Sequence, residues 1–208
     1  MTAEIGILNL GMGNLRSVEN AIYSLGHDPR LIAAPAELDD LSHLIIPGVG
    51  AFAAAMNRMA DAGLTDAVRA FGASGRPVLG LCLGMQLLAT QGDEGGETPG
   101  LGLVPGTVKR LDPALVPLIP HVGWNSVEVA RPHPIFKGVK TGVDFYFVHS
   151  YIVATDHPDA VLGTTDCGER FASVIGRANA VGIQYHPEKS QANGLQMLDN
   201  FCRWNGAC

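Results

Sequence analysis

The sequence contains few charged and few aromatic side chains, which make up 16% and 6% of its 208 residues. Because 47% of the residues are hydrophobic, this composition excludes intrinsic disorder and indicates a globular chain with a sizeable core. The formal net charge is −6 and no basic stripe occurs, so we expect no nucleic-acid partner. The chain has neither a basic surface cluster nor an apolar run of the roughly 20 residues that span a bilayer, so we expect no membrane contact. The first residues carry no secretory pattern, and we expect a cytoplasmic protein.

Cysteine is scarce and is not spaced for metal binding or disulfides. Cys82, Cys167, Cys202 and Cys208 form no CxxC pair, and in a cytosolic chain we expect them to be free thiols. The spacing of the histidines matches no zinc signature. The segment Gly11-Met12-Gly13 lacks the third glycine of a dinucleotide-binding motif. We therefore expect no metal and no cofactor.

Short apolar runs alternate with helical patterns in the first half of the chain. Buried strands are predicted at 4–10, 42–46 and 77–82, and helices are predicted to follow them at 15–25, 50–63 and from Gly84. This alternation is typical of a parallel α/β sheet. The length suits one domain over residues 1–208.

The second half of the chain is richer in short β-type segments than in helices. These segments predict antiparallel or mixed strands added to the parallel core, at 143–149, 151–155, 171–175 and 180–185. Residues 190–202 predict a closing amphipathic helix.

A nucleophile elbow is the first candidate for chemistry. In Gly80-Leu81-Cys82-Leu83-Gly84 an apolar strand runs into a cysteine that is flanked by glycines two residues away on each side. This turn is tight and needs small neighbours, and it places the thiol at the carboxyl end of a strand, where α/β sheets bind ligands. The amides of the following helix would lower the thiol pKa and could hold an oxyanion. A small buried structural cysteine is the alternative interpretation of Cys82.

A histidine and a glutamate two residues apart follow the apolar strand at 180–183. Pro187 biases His186 towards an extended backbone, in which residues two apart point the same way. His186 and Glu188 could then lie side by side, as the base and the group that orients it. Taken alone, this pair is more typical of a surface histidine and glutamate at a strand end.

Two further groups are weaker signals. Pro47-Gly48-Val49-Gly50 follows a strand, and its backbone amides could complete an oxyanion hole with that of Leu83, although glycine-rich βα turns are common. His121 and His149 stand in unusual contexts, HVGWN and FVHSY, but a lone histidine is more often structural, and we expect that of both.

Together these segments resemble the class I glutamine amidotransferases. GLCLGMQLL resembles the family's nucleophile elbow, GIQYHPEKS its His–Glu segment and PGVGAF its oxyanion strand, in the family's order. The resemblance runs from about residue 4 to residue 204. It narrows to the branch that serves histidine biosynthesis through four more segments: GMGNLRSV at 11–18, GLGLVPGTV at 100–108, PHVGWN at 120–125 and FYFVHSY at 145–151.

The resemblance implies a three-layer fold, with a mostly parallel central sheet, helices on both faces and antiparallel strands in the C-terminal half. It implies that Cys82 attacks the side-chain amide of L-glutamine, with His186 as base and Glu188 as its orienting group. A glutamyl thioester would form and be hydrolysed to glutamate. The implied oxyanion donors are the amides of Leu83 and Gly50, and the implied glutamine contacts are the Gln86 side chain and the backbone of His149, Ser150 and Tyr151.

A partner is expected because the 208 residues contain no second domain to consume ammonia. The resemblance implies a heterodimer with a (β/α)8-barrel cyclase, which uses the ammonia to make imidazole glycerol phosphate and aminoimidazole carboxamide ribotide. Asn14, Trp124 and Lys189 match family positions near that interface. For Trp124 a place in the core, and for Lys189 a solvated side chain, are the alternatives.

The sequence departs from the family pattern at four positions outside the implied triad. Asn9 and Leu10 stand where an acidic and an aromatic residue are usual, Leu118 stands where a basic residue is usual, and Val122 stands where methionine is common. None of these residues belongs to the implied triad, so we expect the differences to affect the interface with the partner or the coupling between the two active sites.

Three other functions stay open. An amidotransferase subunit for another acceptor, such as an aromatic-amine or pyridoxal phosphate pathway, is disfavoured by PHVGWN and FYFVHSY. A cysteine hydrolase of esters or lactones normally has its acid before the histidine, whereas Glu188 follows His186. A catalytically inactive regulatory module is disfavoured by the intact triad.

Overall fold

The fold is built on one large sheet, seen in a computed structural model that describes residues 3–207. Within those residues the strands are, in chain order, β1 (Ile5–Leu8), β2 (Arg30–Ile32), β3 (His43–Gly48), β4 (Val78–Cys82), β5 (Gln91–Gly92), β6 (Thr98–Pro99), β7 (Thr107–Arg110), β8 (His121–Val129), β9 (Val143–His149), β10 (Tyr151–Ala154), β11 (Val161–Asp166), β12 (Arg170–Arg177) and β13 (Ala180–Ile183).

Five parallel strands form the centre of the sheet, in the order β2-β1-β3-β4-β13. Their side chains alternate between the two faces as a strand requires: Leu44 and Ile46 pack on one face and Ile45 on the other. Both faces are buried, which explains why these strands are near-continuous apolar runs.

An antiparallel region continues from β13. There β12 pairs antiparallel with β13 and β10, and β10 pairs with β7. The β8–β9 hairpin is joined to this region through β11. The prediction of antiparallel or mixed strands added to a parallel core is confirmed, and β13 is the mixed strand, parallel to β4 and antiparallel to β12.

Helices cover both faces of the sheet, which confirms the three-layer prediction. One face is covered by α2 to α4 and the other by α1 and α5. The helices are α1 (Leu15–Ser24), α2 (Phe52–Asp61), α3 (Leu64–Ala73), α4 (Leu83–Leu87) and α5 (Gln191–Arg203). Helix α5 buries the side predicted from its spacing, with Leu198 and Phe201 in the core.

Some boundaries differ from the predicted ones. The predicted strand at 42–46 continues through Pro47 and Gly48, because both pair with β4, Pro47 with Leu81 and Gly48 with Cys82. The predicted helix at 50–63 is α2, which spans only Phe52–Asp61, and Gly63, with a positive φ of 68°, separates it from α3, a helix that the sequence pattern did not predict. Helix α4 is only five residues long, so it supplies local amides and not a long helix dipole.

Candidate active site

Three predicted segments meet at one edge of the sheet. Strands β3, β4 and β13 are parallel neighbours, with β4 in the middle. Their carboxyl ends therefore bring the Pro47–Gly50 turn, Cys82 and the His186 segment together, although up to about 140 residues of chain separate them.

Cys82 occupies a strained turn between β4 and α4. Its backbone angles are φ 54° and ψ −110°, a conformation that non-glycine residues rarely adopt and that is often found at functional sites. A Cβ on Gly80 would overlap the backbone of Gly84, and one on Gly84 would overlap the Ile46 carbonyl. Both glycines are therefore required by close backbone packing, and the predicted strand–turn–helix elbow is present.

His186 and Glu188 form a buried pair beside the elbow. Nδ1 of His186 lies 2.9 Å from Oε1 of Glu188, and the two side chains are 6% and 2% exposed. His186 has the predicted extended backbone, with φ −98° and ψ 93°, but Pro187–Lys189 forms a 3-10 turn. The two side chains therefore meet across a turn, and the predicted extended stretch carrying both is wrong.

The electrostatics of His186 favour a proton on its ring. Burial alone would lower its pKa, but interactions with Cys82 and then Glu188 outweigh burial and raise the pKa to about 9. The thiol of Cys82 donates a weak hydrogen bond to the Val148 carbonyl at 3.9 Å. Nε2 of His186 has no well-aligned hydrogen bond among the described residues, a looseness common in sites without substrate.

A cavity of about 190 Å³ opens over the thiol. At about 30 Å³ per water this equals roughly six waters, which is room for a small amino acid. Its lining combines every predicted oxyanion and glutamine contact with a few unpredicted residues: Val49, Gly50, Cys82, Leu83, Gln86, Glu94, Val148, His149, Ser150 and Tyr151. A larger open groove of about 720 Å³ lies around Lys137 and Arg203, and none of the predicted site residues lines it.

Glu94 is a site residue that sequence reasoning missed. Its Oε2 accepts the backbone N–H of Phe52 at 2.7 Å, at the start of α2, and its carboxylate lines the cavity over Cys82. The loop QGDEGGE contains several acidic residues, and its composition does not distinguish Glu94 from a solvated side chain.

Gln86 is held at the base of the cavity. Its Nε2 donates to the Tyr151 carbonyl at 3.1 Å and lies 3.4 Å from Oε1 of the buried Gln184. These two contacts hold the Nε2 atom of Gln86, whose side chain was predicted to contact the substrate.

The predicted interface residues lie on one connected surface. Trp124 is 49% exposed and packs edge-on against Tyr146, with 6.0 Å between ring centroids, so the core alternative for Trp124 is wrong. Nζ of Lys189 lies 5.9 Å from the centre of the same Tyr146 ring. Asn14 caps α1 by accepting the Ser17 N–H, and it borders a cavity of about 30 Å³ together with Lys189.

The remaining predictions concern metal ligands, cysteines and membrane spans. Among the described residues no cluster of histidine, cysteine and acidic side chains could hold a metal ion. Cys167 and Cys202 are free thiols, and Cys208 lies outside the described residues. Within residues 3–207, no helix is long and apolar enough to cross a membrane.

Comparison with known proteins identifies the family of this chain. Residues 7–204 match the family described as glutamine amidotransferase class-I. The chain belongs to the class I glutamine amidotransferases. The fold is shared with the structure of PurLQS from Thermotoga maritima, with a TM-score of 0.76 and 17% sequence identity over 97% of this chain and 98% of that one.

Relatives at higher identity define a narrower group. One from Symbiobacterium thermophilum is 50% identical, covering 97% of this chain and 94% of its own, and one from Moorella thermoacetica is 47% identical, covering 95% and 93%. Both are named imidazole glycerol phosphate synthase subunit HisH. Within the family, the chain therefore groups with the HisH subunits.

Proposed function

We propose that this chain is the glutaminase subunit of an imidazole glycerol phosphate synthase, the lyase-type complex of histidine biosynthesis. It hydrolyses L-glutamine to glutamate and ammonia and needs no cofactor or metal. The observation that carries the proposal is the 2.9 Å pair of His186 and Glu188 beside a strained Cys82 elbow, at the base of a cavity of amino-acid size. Residues 1–208 act as one glutaminase domain, in the cytoplasm.

The first half of the reaction forms a thioester. The thiol proton of Cys82 first moves to Nε2 of His186, a transfer that the raised pKa of His186 favours, and the thiolate Sγ then attacks the side-chain amide carbon of glutamine. Glu188 holds the proton on Nδ1 and stabilises the imidazolium that results. The imidazolium then protonates the amide nitrogen, the carbon–nitrogen bond breaks and ammonia leaves.

The second half regenerates the enzyme. Water gives a proton to His186 and its oxygen attacks the thioester carbon, after which the carbon–sulfur bond breaks and Cys82 takes back a proton. Glutamate leaves, and the net change is the consumption of one glutamine and one water. The interactions with Cys82 help to raise the pKa of His186 before the attack, and they are lost once Sγ is acylated, so the ring can then take a proton from water.

Backbone and side-chain groups in the cavity serve binding. The amides of Gly50 and Leu83 stabilise the oxyanion, and Gly50 has a positive φ of 111°, a backbone conformation that turns the chain at the cavity edge. Gln86 and the backbone of His149, Ser150 and Tyr151 contact the substrate. Glu94 is the acidic side chain lining this cavity, and its carboxylate suits the α-ammonium group of glutamine.

The partner is a cyclase subunit of the (β/α)8-barrel type, in a heterodimer. The relatives' names support a subunit role, because they call those proteins one subunit of a synthase. The half-exposed Trp124, with Asn14 and Lys189 on the same connected surface, supports that surface as the docking site. Exposed aromatic residues are enriched at such interfaces.

The test is glutamate release from L-glutamine by the purified chain, alone and with a (β/α)8-barrel cyclase and its nucleotide ligand. We expect little activity alone and strong stimulation by the liganded cyclase. Appreciable activity that the cyclase does not change would keep the triad but assign the ammonia to another acceptor. No activity in either arm, together with a Cys82 that resists a glutamine-analogue electrophile, would refute the glutaminase assignment.

A further inference from the structure

A hydrogen-bonded series of polar side chains runs behind the glutamine cavity, with His149 buried and His121 and Asn125 partly buried. Nδ1 of His121 lies 2.9 Å from Nε2 of His149, and Nδ1 of His149 lies 3.0 Å from the Tyr151 carbonyl oxygen. At the other end, Nδ2 of Asn125 lies 3.2 Å from Nε2 of His121. The three side chains therefore connect β8 to the backbone at the start of β10.

The chemistry of the two end groups fixes the direction of every hydrogen bond in this chain. A carbonyl oxygen can only accept, so His149 must carry its proton on Nδ1, and its Nε2 must accept. His121 must then donate from Nδ1, and its Nε2 accepts from the amide N–H of Asn125. Nδ2 of Asn125 also donates to the Asp166 carbonyl at 2.9 Å, which orients the amide for this donation.

Both rings are neutral in this arrangement. Burial lowers the pKa of His149 to about 3 and lowers that of His121. The aromatic rings of Phe147 and Phe171 pack against His121, with centroids 5.0 Å and 5.9 Å away. Because each ring is neutral, with Nδ1 donating and Nε2 accepting a hydrogen bond, each is held as the tautomer that carries its proton on Nδ1.

The end point of the chain is part of the glutamine cavity. The Tyr151 carbonyl accepts from both Nδ1 of His149 and Nε2 of Gln86, at 3.0 Å and 3.1 Å. These two bonds set the turn between β9 and β10, where His149, Ser150 and Tyr151 line the cavity. The position of this backbone therefore depends on which nitrogen of His149 carries the proton.

We propose that Asn125 and His121 are positioning residues that hold the proton of His149 on Nδ1, and thereby fix the backbone that binds glutamine. The inference rests on the proposed glutaminase function. We expected His121 and His149 to be structural, whereas the proposal makes His121 and the side chain of His149 part of the apparatus that positions the substrate-binding backbone. It gives Asn125 the role of the first hydrogen-bond donor in the same series.

The kinetic test uses a matched pair of substitutions whose side chains have the same number of heavy atoms and the same branching. His121→Asn places an amide N–H where Nδ1 of histidine stood, whereas His121→Leu has no donor. In the complex with the cyclase and its nucleotide ligand, we expect His121→Leu to raise KM for glutamine about tenfold, the usual effect of leaving a buried group unpaired. His121→Asn should stay within about threefold of the unchanged chain, and kcat should change little in either variant.

Equal KM values for the two variants would overturn the positioning role. Thermal unfolding checks that both variants fold. If His121→Leu does not, Asn125→Ala removes the donor at the other end of the chain and should raise KM in the same direction. An unchanged KM in Asn125→Ala would then overturn the proposal.

A second measurement does not depend on activity. Imidazole ¹⁵N shifts of the full, unmodified chain should show His149 as the neutral Nδ1–H tautomer between pH 6 and 8. A proton on Nε2 of His149, or a charged His149 ring, would overturn the proposed direction of the hydrogen bonds that run from Asn125 to the Tyr151 carbonyl. If the chain hydrolysed no glutamine, the proposed function would fail while this measurement still decided where the proton lies.

Discussion

Replacing Glu94 by glutamine isolates one charge in the glutamine cavity. The carboxylate lines the cavity, and its Oε2 accepts the Phe52 N–H at 2.7 Å. Because a glutamine side chain keeps an oxygen acceptor at that place, Glu94→Gln preserves the bond at the start of α2 and removes only the negative charge.

The size of the effect follows from the interaction that is lost. A hydrogen bond to a charged partner contributes about 1.5–3 kcal/mol, and the partial exposure of Glu94 favours the lower part of this range. A loss of about 1.5–2 kcal/mol corresponds to a rise in KM of about 10- to 30-fold. The α-ammonium group is remote from the reacting amide and interacts equally before and during the reaction, so kcat should stay nearly constant.

Steady-state glutaminase kinetics of the liganded complex would measure both constants. Glu97→Gln is the matched control, because it makes the same change on the same loop at an exposed side chain that does not line the cavity. A second substrate, 4-carbamoylbutanoate, lacks the α-ammonium group. Its KM should be high and should be the same in the Glu94→Gln variant and the unchanged chain.

A KM that rises equally for both substrates in the Glu94→Gln variant would refute a direct interaction between Glu94 and the α-ammonium group. In that case Glu94 would act on the structure through Phe52 and not on the ammonium group. An unchanged KM for glutamine would likewise remove Glu94 from the binding site.

Other consequences of the site are open to measurement. Cys82→Ala should abolish glutamine-dependent synthesis by the complex but keep ammonia-dependent synthesis, since the thiol only generates ammonia; loss of both activities would give the thiol a structural role. Glu188→Gln should lower kcat less than His186→Ala, because an orienting group contributes less than the base; equal losses would contradict these roles. Gly84→Ala should lower the free energy of unfolding by about 3 kcal/mol or more in urea titrations, since the added methyl overlaps a backbone carbonyl of the neighbouring strand. The folded-state pKa of His149, about 3, lies below its unfolded value of 6.5, so the unfolded chain binds the extra proton as the pH falls below 6.5. Stability should therefore decrease by about 1.6 kcal/mol in total for this ring between pH 6.5 and 5, with the slope steepening as the pH falls, and an unfolding free energy that is flat over this range would contradict a buried neutral His149.

Features that depend on neighbours in the chain could be predicted from the sequence. The elbow needs a glycine two residues before and two after Cys82, and the overlaps at Gly80 and Gly84 show the steric reason. The alternation of strands and helices predicted the parallel core. Once that core is known, the meeting of β3, β4 and β13 at one edge follows from strand order, although the order itself was not evident from the sequence.

Local conformation was less predictable where tertiary pairing competes with turn chemistry. Pro47 and Gly48 are typical strand terminators, yet both belong to β3, because β4 extends far enough to pair with them. The 3-10 turn after His186 replaces the predicted extended stretch. Its Ser190 accounts for this, since the Ser190 hydroxyl donates to the His186 carbonyl at 2.6 Å and closes the turn.

Contacts across strands lie beyond what single-sequence patterns can provide. His121 and His149 are directly opposite in the register of β8 and β9, although they are 28 positions apart in the sequence. A shift of one residue in that register would place the two rings on opposite faces of the hairpin and break the chain to Tyr151. The sequence shows two histidines in unusual contexts, but only the register makes them one unit. The proposed proton on Nδ1 of His149 is therefore a property of the assembled sheet, and under this proposal β8, which contributes none of the proposed catalytic groups, helps to place the backbone that lines the cavity over Cys82.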